Sequence, residues 1–281
     1  FEPVVKDLFE KHFAGEVKQS LERLISNLSE APLLFKLMSV CPLPDLEFEA
    51  VFTDIRSALL TSVTEIKNSP EVLHFQSALA LQCFTNEYIY NQTDKETTAL
   101  VELEAEVEEV LLKGEQPRPQ SILCLATYKA LHQYKWCDLL VLTTSIEEVV
   151  TRQIIEPKQE NLLKSNMLVL QEITNKVSSK VRNQYEESPY PRWVNMGLSL
   201  NPAPFSKATK ELKLRLFDKT INDVEAPNIL IAGCGTGQHS IGTASKYKNA
   251  KVLAVDLSLS SLAYAKRKTE ELGLQNLDYM Q

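Results

Sequence analysis

The sequence has 281 residues, 44% of them hydrophobic and 24% charged, which suffices for one or two domains with real cores. Its formal net charge of −7 argues against nonspecific nucleic-acid binding, which needs a basic footprint. Cys41, Cys83, Cys124, Cys137 and Cys234 form no Cys-x-x-Cys pair, and His12, His74, His132 and His239 have no ligand spacing, so neither a disulfide framework nor a metal site is expected. No apolar run approaches the ~20 residues of a membrane-spanning helix, and the expectation is a cytoplasmic protein without a membrane partner.

Residues 1–180 read as an all-helical domain. Phe48, Val51, Phe52, Ile55, Leu59, Val63 and Ile66 recur at spacings of three and four and fall on one helical face. Ser69-Pro70-Glu71 starts a second helix, with Ser69 as N-cap, that carries Val72, Phe75, Leu79 and Cys83 to about Tyr90. Asn86 and Glu87 are polar on this apolar helix; a buried carboxylate needs a partner, and one reading has Glu87 lining a substrate cleft. Thr93 and Glu96 form a capping box for a helix that runs to Lys113 and ends at Gly114, with Glu102, Glu104, Glu106, Glu108 and Glu109 on a solvated face. After a linker at Gln116–Pro119, a helix is predicted from Ser121 to Gln133. Trp136–Leu142 reads as a strand or a helix start, the latter fitting its helical context better. Helices over Ser145–Ile155 and Glu160–Lys180, separated by Pro157, complete the set.

Residues 181–206 form a linker holding Tyr185, Tyr190, Pro191, Arg192 and Trp193, where prolines fix the chain path and aromatics offer flat rings. Residues 207–281 then alternate strand and helix. A helix over 207–222 places Leu212, Leu216 and Phe217 inward. A strand, Ile229–Ala232, runs into Gly233-Cys234-Gly235-Thr236-Gly237, and a helix follows to about Lys246. A second strand, Lys251–Val255, is closed by Asp256. A helix over Ser260–Leu272, capped by Gly273, leads to a third strand, Leu277–Met280. This β-α-β-α-β order implies a parallel sheet ordered 3-2-1, the first half of a Rossmann-like domain. The glycines let the backbone turn sharply and approach a ligand, and the amides of the next helix favour an anion. Position 238 is Gln, so the Gly-x-Gly-x-x-Gly dinucleotide spacing fails. A nicotinamide-linked oxidoreductase and a plain surface turn are the lesser alternatives. Cys234 fits the loop as a small side chain, and His239 reads as a helix residue rather than a general base.

The first strand and its Gly-x-Gly-x-Gly loop resemble motif I of class I S-adenosyl-L-methionine (SAM)-dependent methyltransferases, and Asp256 resembles the acid that closes their second strand. Val181-Arg182-Asn183-Gln184-Tyr185-Glu186-Glu187-Ser188-Pro189-Tyr190-Pro191-Arg192-Trp193 resembles the lead-in of a bacterial methyltransferase group often attached to tetratricopeptide repeats, and Ala78–Tyr88 is similar to that group's helical region. No self-similar period of ~34 residues is visible in residues 1–180. The resemblance implies SAM as cofactor, bound by Gly233, Cys234, Gly235, Thr236 and Gly237. It implies that Asp256 takes both ribose hydroxyls, that Leu257 lies along the adenine and that Tyr185 closes over the methionine portion. Alternatively, Tyr190 and Trp193 anchor the linker on the helical domain while Arg192 pairs a surface carboxylate.

A SAM-dependent methyltransferase is therefore expected, its acceptor (small molecule or protein) and any catalytic side chain left open, because methyl transfer needs chiefly in-line placement. A helical interaction protein with a vestigial cofactor half is the alternative from another class. The resemblance implies a seven-stranded domain of which three strands are present, so weak cofactor binding and no independent turnover are expected. The apolar edge of the first strand makes a homodimer an expected arrangement.

Overall fold

The computed structural model describes residues 21–171, 174–187, 189–211, 213 and 215–281. The chain divides into two compact units, Phe1–Pro157 and Lys158–Gln281, rather than at residue 180.

The described part of the first unit is helical: α1 (Leu21–Leu28), α2 (Pro32–Val40), α3 (Leu46–Thr61), α4 (Pro70–Thr85), α5 (Asp94–Leu112), α6 (Pro119–Ala126) and α7 (Glu147–Val150). The helix starts follow local chemistry. Ser69 Oγ accepts from Val72 N, and Thr93 with Glu96 closes the capping box from both sides. Helix α4 is buried on two faces. Phe75, Leu79 and Cys83 join one apolar cluster with α1–α3, while Ala80 and Leu81 join a second with α5 and α6, which makes α4 the central helix of the unit.

Four local expectations change here. Helix α4 stops at Thr85, where Tyr88 N donates back to Cys83 O; Glu87 (φ 59°) and Tyr88 (φ 57°) turn left-handed, so Glu87 sits in the turn that closes the helix and not on its face. The helix expected over 121–133 ends at Ala126, and a 3-10 turn follows at Leu131–Gln133. Within 136–142 there is a 3-10 turn, Cys137–Leu139, instead of a strand or an α-helix. Pro157 does not separate two helices: α7 passes through a π-helical turn, Thr151–Ile155, into α8 (Glu156–Ser165). Proline has no N–H to offer the carbonyl four residues back. That carbonyl, Gln153 O, instead accepts from His132 Nδ1 at 2.9 Å.

In the second unit come α9 (Lys176–Glu187), α10 (Phe205–Glu211), a 3-10 turn (Lys219–Asp223), β1 (Asn228–Ala232), α11 (Gln238–Lys246), β2 (Lys251–Val255), α12 (Leu259–Glu271) and β3 (Leu277–Met280). The three strands are parallel in the order β1-β2-β3, with Asn228 opposite Lys251 and Val252 opposite Leu277. Ile231, Val252, Ala254, Leu277 and Tyr279 build the core with Ile241 and Ala244 of α11, Leu262 and Ala265 of α12, and Trp193. Among the described residues β1 pairs with β2 alone, and its Leu230 is 67% exposed.

The single helix expected over 160–180 is two helices, α8 and α9. Between them Leu168 bridges to Met280, with Gln281 N donating to Leu168 O and Leu170 N to Gln281 O, so the chain runs extended beside the end of β3. The helix expected over 207–222 is also broken. Lys213 adopts φ 51°, and Asp218 caps a separate 3-10 turn through Thr220 N. Phe217 consequently lies fully exposed rather than inward, Leu216 is partly buried, and Leu212 falls outside the described residues. No helix among the described residues is long and apolar enough to cross a membrane.

Candidate cofactor site

The glycine loop leaves β1 by crossing the end of β2: Gly233 N and Cys234 N both donate to Val255 O. Its glycines all take positive φ, 72° at Gly233, 52° at Gly235 and 90° at Gly237, a region that L side chains enter only with strain. Their surroundings differ. A Cβ on Gly233 or Gly235 would meet nothing within 4 Å, so those positions leave the backbone bare to an open space. A Cβ on Gly237 would stand 2.6 Å from Ala265 Cβ and 3.2 Å from the Tyr279 hydroxyl. Gly237 thus lets α11 start tight against α12 and β3.

Asp256 leaves the end of β2 and organises the loop. Its Oδ2 accepts from Gly235 N at 2.8 Å and its Oδ1 from Ser258 N at 3.0 Å. Each carboxylate oxygen keeps acceptor capacity beyond the amide it holds. Cys234 is buried, and burial, with the Asp256 charge adding to it, pushes its thiol up to about 12. A thiol held there stays protonated and is no nucleophile.

Thr236 is buried and joins the loop to the preceding linker, donating from Oγ1 to Pro191 O at 2.9 Å while its carbonyl accepts from Trp193 Nε1 at 2.9 Å. Trp193 packs edge-on to Tyr264, whose hydroxyl donates to Trp193 O, and Lys268 Nζ lies 5.2 Å from the indole centroid. Trp193 therefore anchors the linker on the glycine loop and α12 within its own unit.

Above the loop is a cavity of about 560 Å³. Gly233, Gly235 and Asp256 line it at the strand ends, and Leu170, Val181, Tyr185, Tyr190 and Leu257 give it apolar and aromatic walls. Of the residues singled out in the sequence, Gly233, Gly235, Asp256, Leu257, Tyr185 and Tyr190 line this cavity, while Cys234, Thr236 and Gly237 shape the loop behind it. His239 is exposed on α11 and does not line it. Leu170, Ser261 and Gln281 also line the cavity and nothing in their local pattern marks them, while Val181, the first residue of the lead-in segment, lines it without having been given a role. Ser258 was legible: two residues past Asp256, its hydroxyl accepts from Ser261 N and caps α12, which starts at Leu259, one residue before the expected Ser260.

A family model described as a methyltransferase domain matches residues 229–281, the stretch from β1 to the end of β3. No curated protein and no solved structure matches the chain. The family match supports a methyltransferase domain over that stretch, of a kind that generally takes its methyl group from S-adenosylmethionine.

Proposed function

We propose that the protein is a SAM-dependent methyltransferase that binds its cofactor in the cavity above the glycine loop. The observation that carries this reading is the pairing of the bare backbone at Gly235 with the Asp256 carboxylate at 2.8 Å, at the end of adjacent parallel strands. Three features support the fit of an adenosyl ligand. The cavity falls within the ~300–1,000 Å³ of ordinary ligand sites. Gly233 and Gly235 leave room for close approach. Asp256 keeps lone pairs for hydroxyl donors beside the apolar side chain of Leu257.

In this reading Asp256 holds the ribose hydroxyls and Leu257 lies along the adenine. The first amides of α11 favour the ligand carboxylate, and Tyr185 and Tyr190 shield the site from water. When bound, SAM supplies the methyl group to be transferred, and the work of this chain is to hold it and place an acceptor in line with it. The acceptor is a small molecule or a protein, and we assign its selection to the helical unit. We also assign self-association to the edge of β1, where Leu230 is exposed.

Calorimetric titration with SAM, S-adenosylhomocysteine and NAD tests the reading. Heat with the two adenosyl ligands and none with NAD is expected. Heat with NAD alone would favour an oxidoreductase, and no heat with any of them would leave an interaction protein.

A further inference from the structure

Helix α9 brings Val181 and Tyr185 to the cavity, yet it has no buried residue. Val177, Val181 and Tyr185 are all substantially exposed. Burial of apolar surface, which holds most helices in place, is therefore scarce here, and helices of this kind open locally at low cost.

Its last turn is held in another way. Ser258 Oγ donates to Tyr185 O at 3.0 Å, and Ser260 Oγ lies 2.8 Å from both Glu186 O and Glu186 Oε2, sharing its one proton between them. These are carbonyls that a helix C-terminus leaves without intrahelical partners. The Glu186 carboxylate meanwhile accepts from Leu259 N, at the positive end of α12. Lys164 completes the arrangement: its Nζ is 3.1 Å from Glu186 Oε2 and donates to Ser260 Oγ at 2.7 Å. The C-terminal end of α9 is thus docked on the N-terminal end of α12. The same short segment that carries Ser258 and Ser260 begins at Asp256, whose Oδ1 accepts from Ser258 N.

We propose that Glu186 is a positioning residue for cofactor binding, a latch that fixes α9 to the start of α12 and so keeps Tyr185 and Val181 over the cavity. This rests on the cofactor reading above and deepens it. Glu186 itself does not line the cavity, so its effect on a ligand passes through the placement of α9. Lys164 acts on the ligand through Glu186 and Ser260 alone.

The test uses the full chain, S-adenosylhomocysteine as probe, and hydrogen exchange of segment 176–187. Glu186→Ala is expected to speed exchange there and to weaken the ligand roughly tenfold, as when the closed form falls to about a tenth of the population. Glu186→Gln keeps an acceptor for Leu259 N but offers no charge to Lys164, and should fall between. Lys164→Ala should weaken the ligand by itself yet add little on the Glu186→Ala background, a non-additivity that two independent structural losses would not produce. Tyr185→Ala should weaken the ligand without faster exchange, because the latch touches only the carbonyl of that residue. Exchange across β2 checks that each variant is folded, and if Glu186→Ala is not, the Gln and Lys164 variants decide. Wild-type exchange in the Glu186 variants, or faster exchange with unchanged affinity, would overturn the latch. A wild-type protein that binds no S-adenosylhomocysteine would overturn the cofactor reading first, and the latch with it.

Discussion

The amide of Gly235 donates to Oδ2 of Asp256 at 2.8 Å, so the acid at the end of β2 holds the shape of the glycine loop as well as facing the cavity. If Asp256 served the ligand alone, Asp256→Ala would lose the ligand and keep the fold. The structure adds a stability cost, since hydrogen bonds to a charged group are worth about 1.5–3 kcal/mol each and two backbone amides lose theirs. Loss of S-adenosylhomocysteine binding by calorimetry, with a lowered unfolding midpoint, is expected. An unchanged midpoint would mean that the loop keeps its turn without Asp256.

Two glycines of one loop should respond in opposite ways. Gly237→Ala places a Cβ 2.6 Å from Ala265 Cβ at φ 90°, so strain and overpacking of about 1–3 kcal/mol should appear chiefly as lost stability. Gly235→Val sets its Cβ where no protein atom lies within 4 Å and projects into the space kept for a ligand, so it should weaken binding more than its backbone strain lowers stability. Denaturant midpoints and ligand affinities of the two variants, measured side by side, decide this.

Acid should release α9. Burial raises the Glu186 carboxyl, but hydrogen bonds from Ser260 and Lys164, the Lys164 charge and the Leu259 amide outweigh it and hold the group below its ordinary 4.5. A depressed carboxyl contributes its stabilisation above the unfolded value and loses it as pH falls through the folded one. Protection of segment 176–187, taken relative to the intrinsic amide rate at each pH, should therefore hold down to about pH 4.5 and fall below it. Glu186→Gln should lack this acid-dependent step.

Arg267 and Glu160 pair at 2.8 Å with side chains only 4% and 11% exposed. Glu160→Ala would leave a buried guanidinium with the partly exposed Glu271. A loss on the order of 3 kcal/mol from the second unit is expected, at the low end for a broken buried pair because Glu271 remains. Denaturant titration on a Trp136→Phe background, which leaves Trp193 as the one tryptophan, reads that unit by fluorescence, and an unaffected transition would detach α8 from it.

Self-association through β1 predicts a concentration-dependent dimer by light scattering. Leu230→Lys should abolish it, because a charge on an exposed edge strand opposes pairing. A clean wild-type monomer at high concentration would contradict the assignment.

What the sequence determined by itself is whatever short-range chemistry controls. Helix starts at Ser69 and Thr93, the three strands, the glycine loop and the terminal Asp256 are each encoded within a few residues, by a cap, an alternation or a run of Cβ-free positions. Tertiary structure decided what depends on distant partners. Pro157 sits in a helix because His132 satisfies the carbonyl that proline cannot. Phe217 lies outside because a left-handed Lys213 breaks the helix that would have buried it. Glu160 belongs with Arg267 across 107 residues, and Leu170 and Gln281 share a cavity wall though one precedes the sheet and the other follows it. Such pairings are set by side chains meeting in space, and no periodicity or local propensity along the chain carries that information.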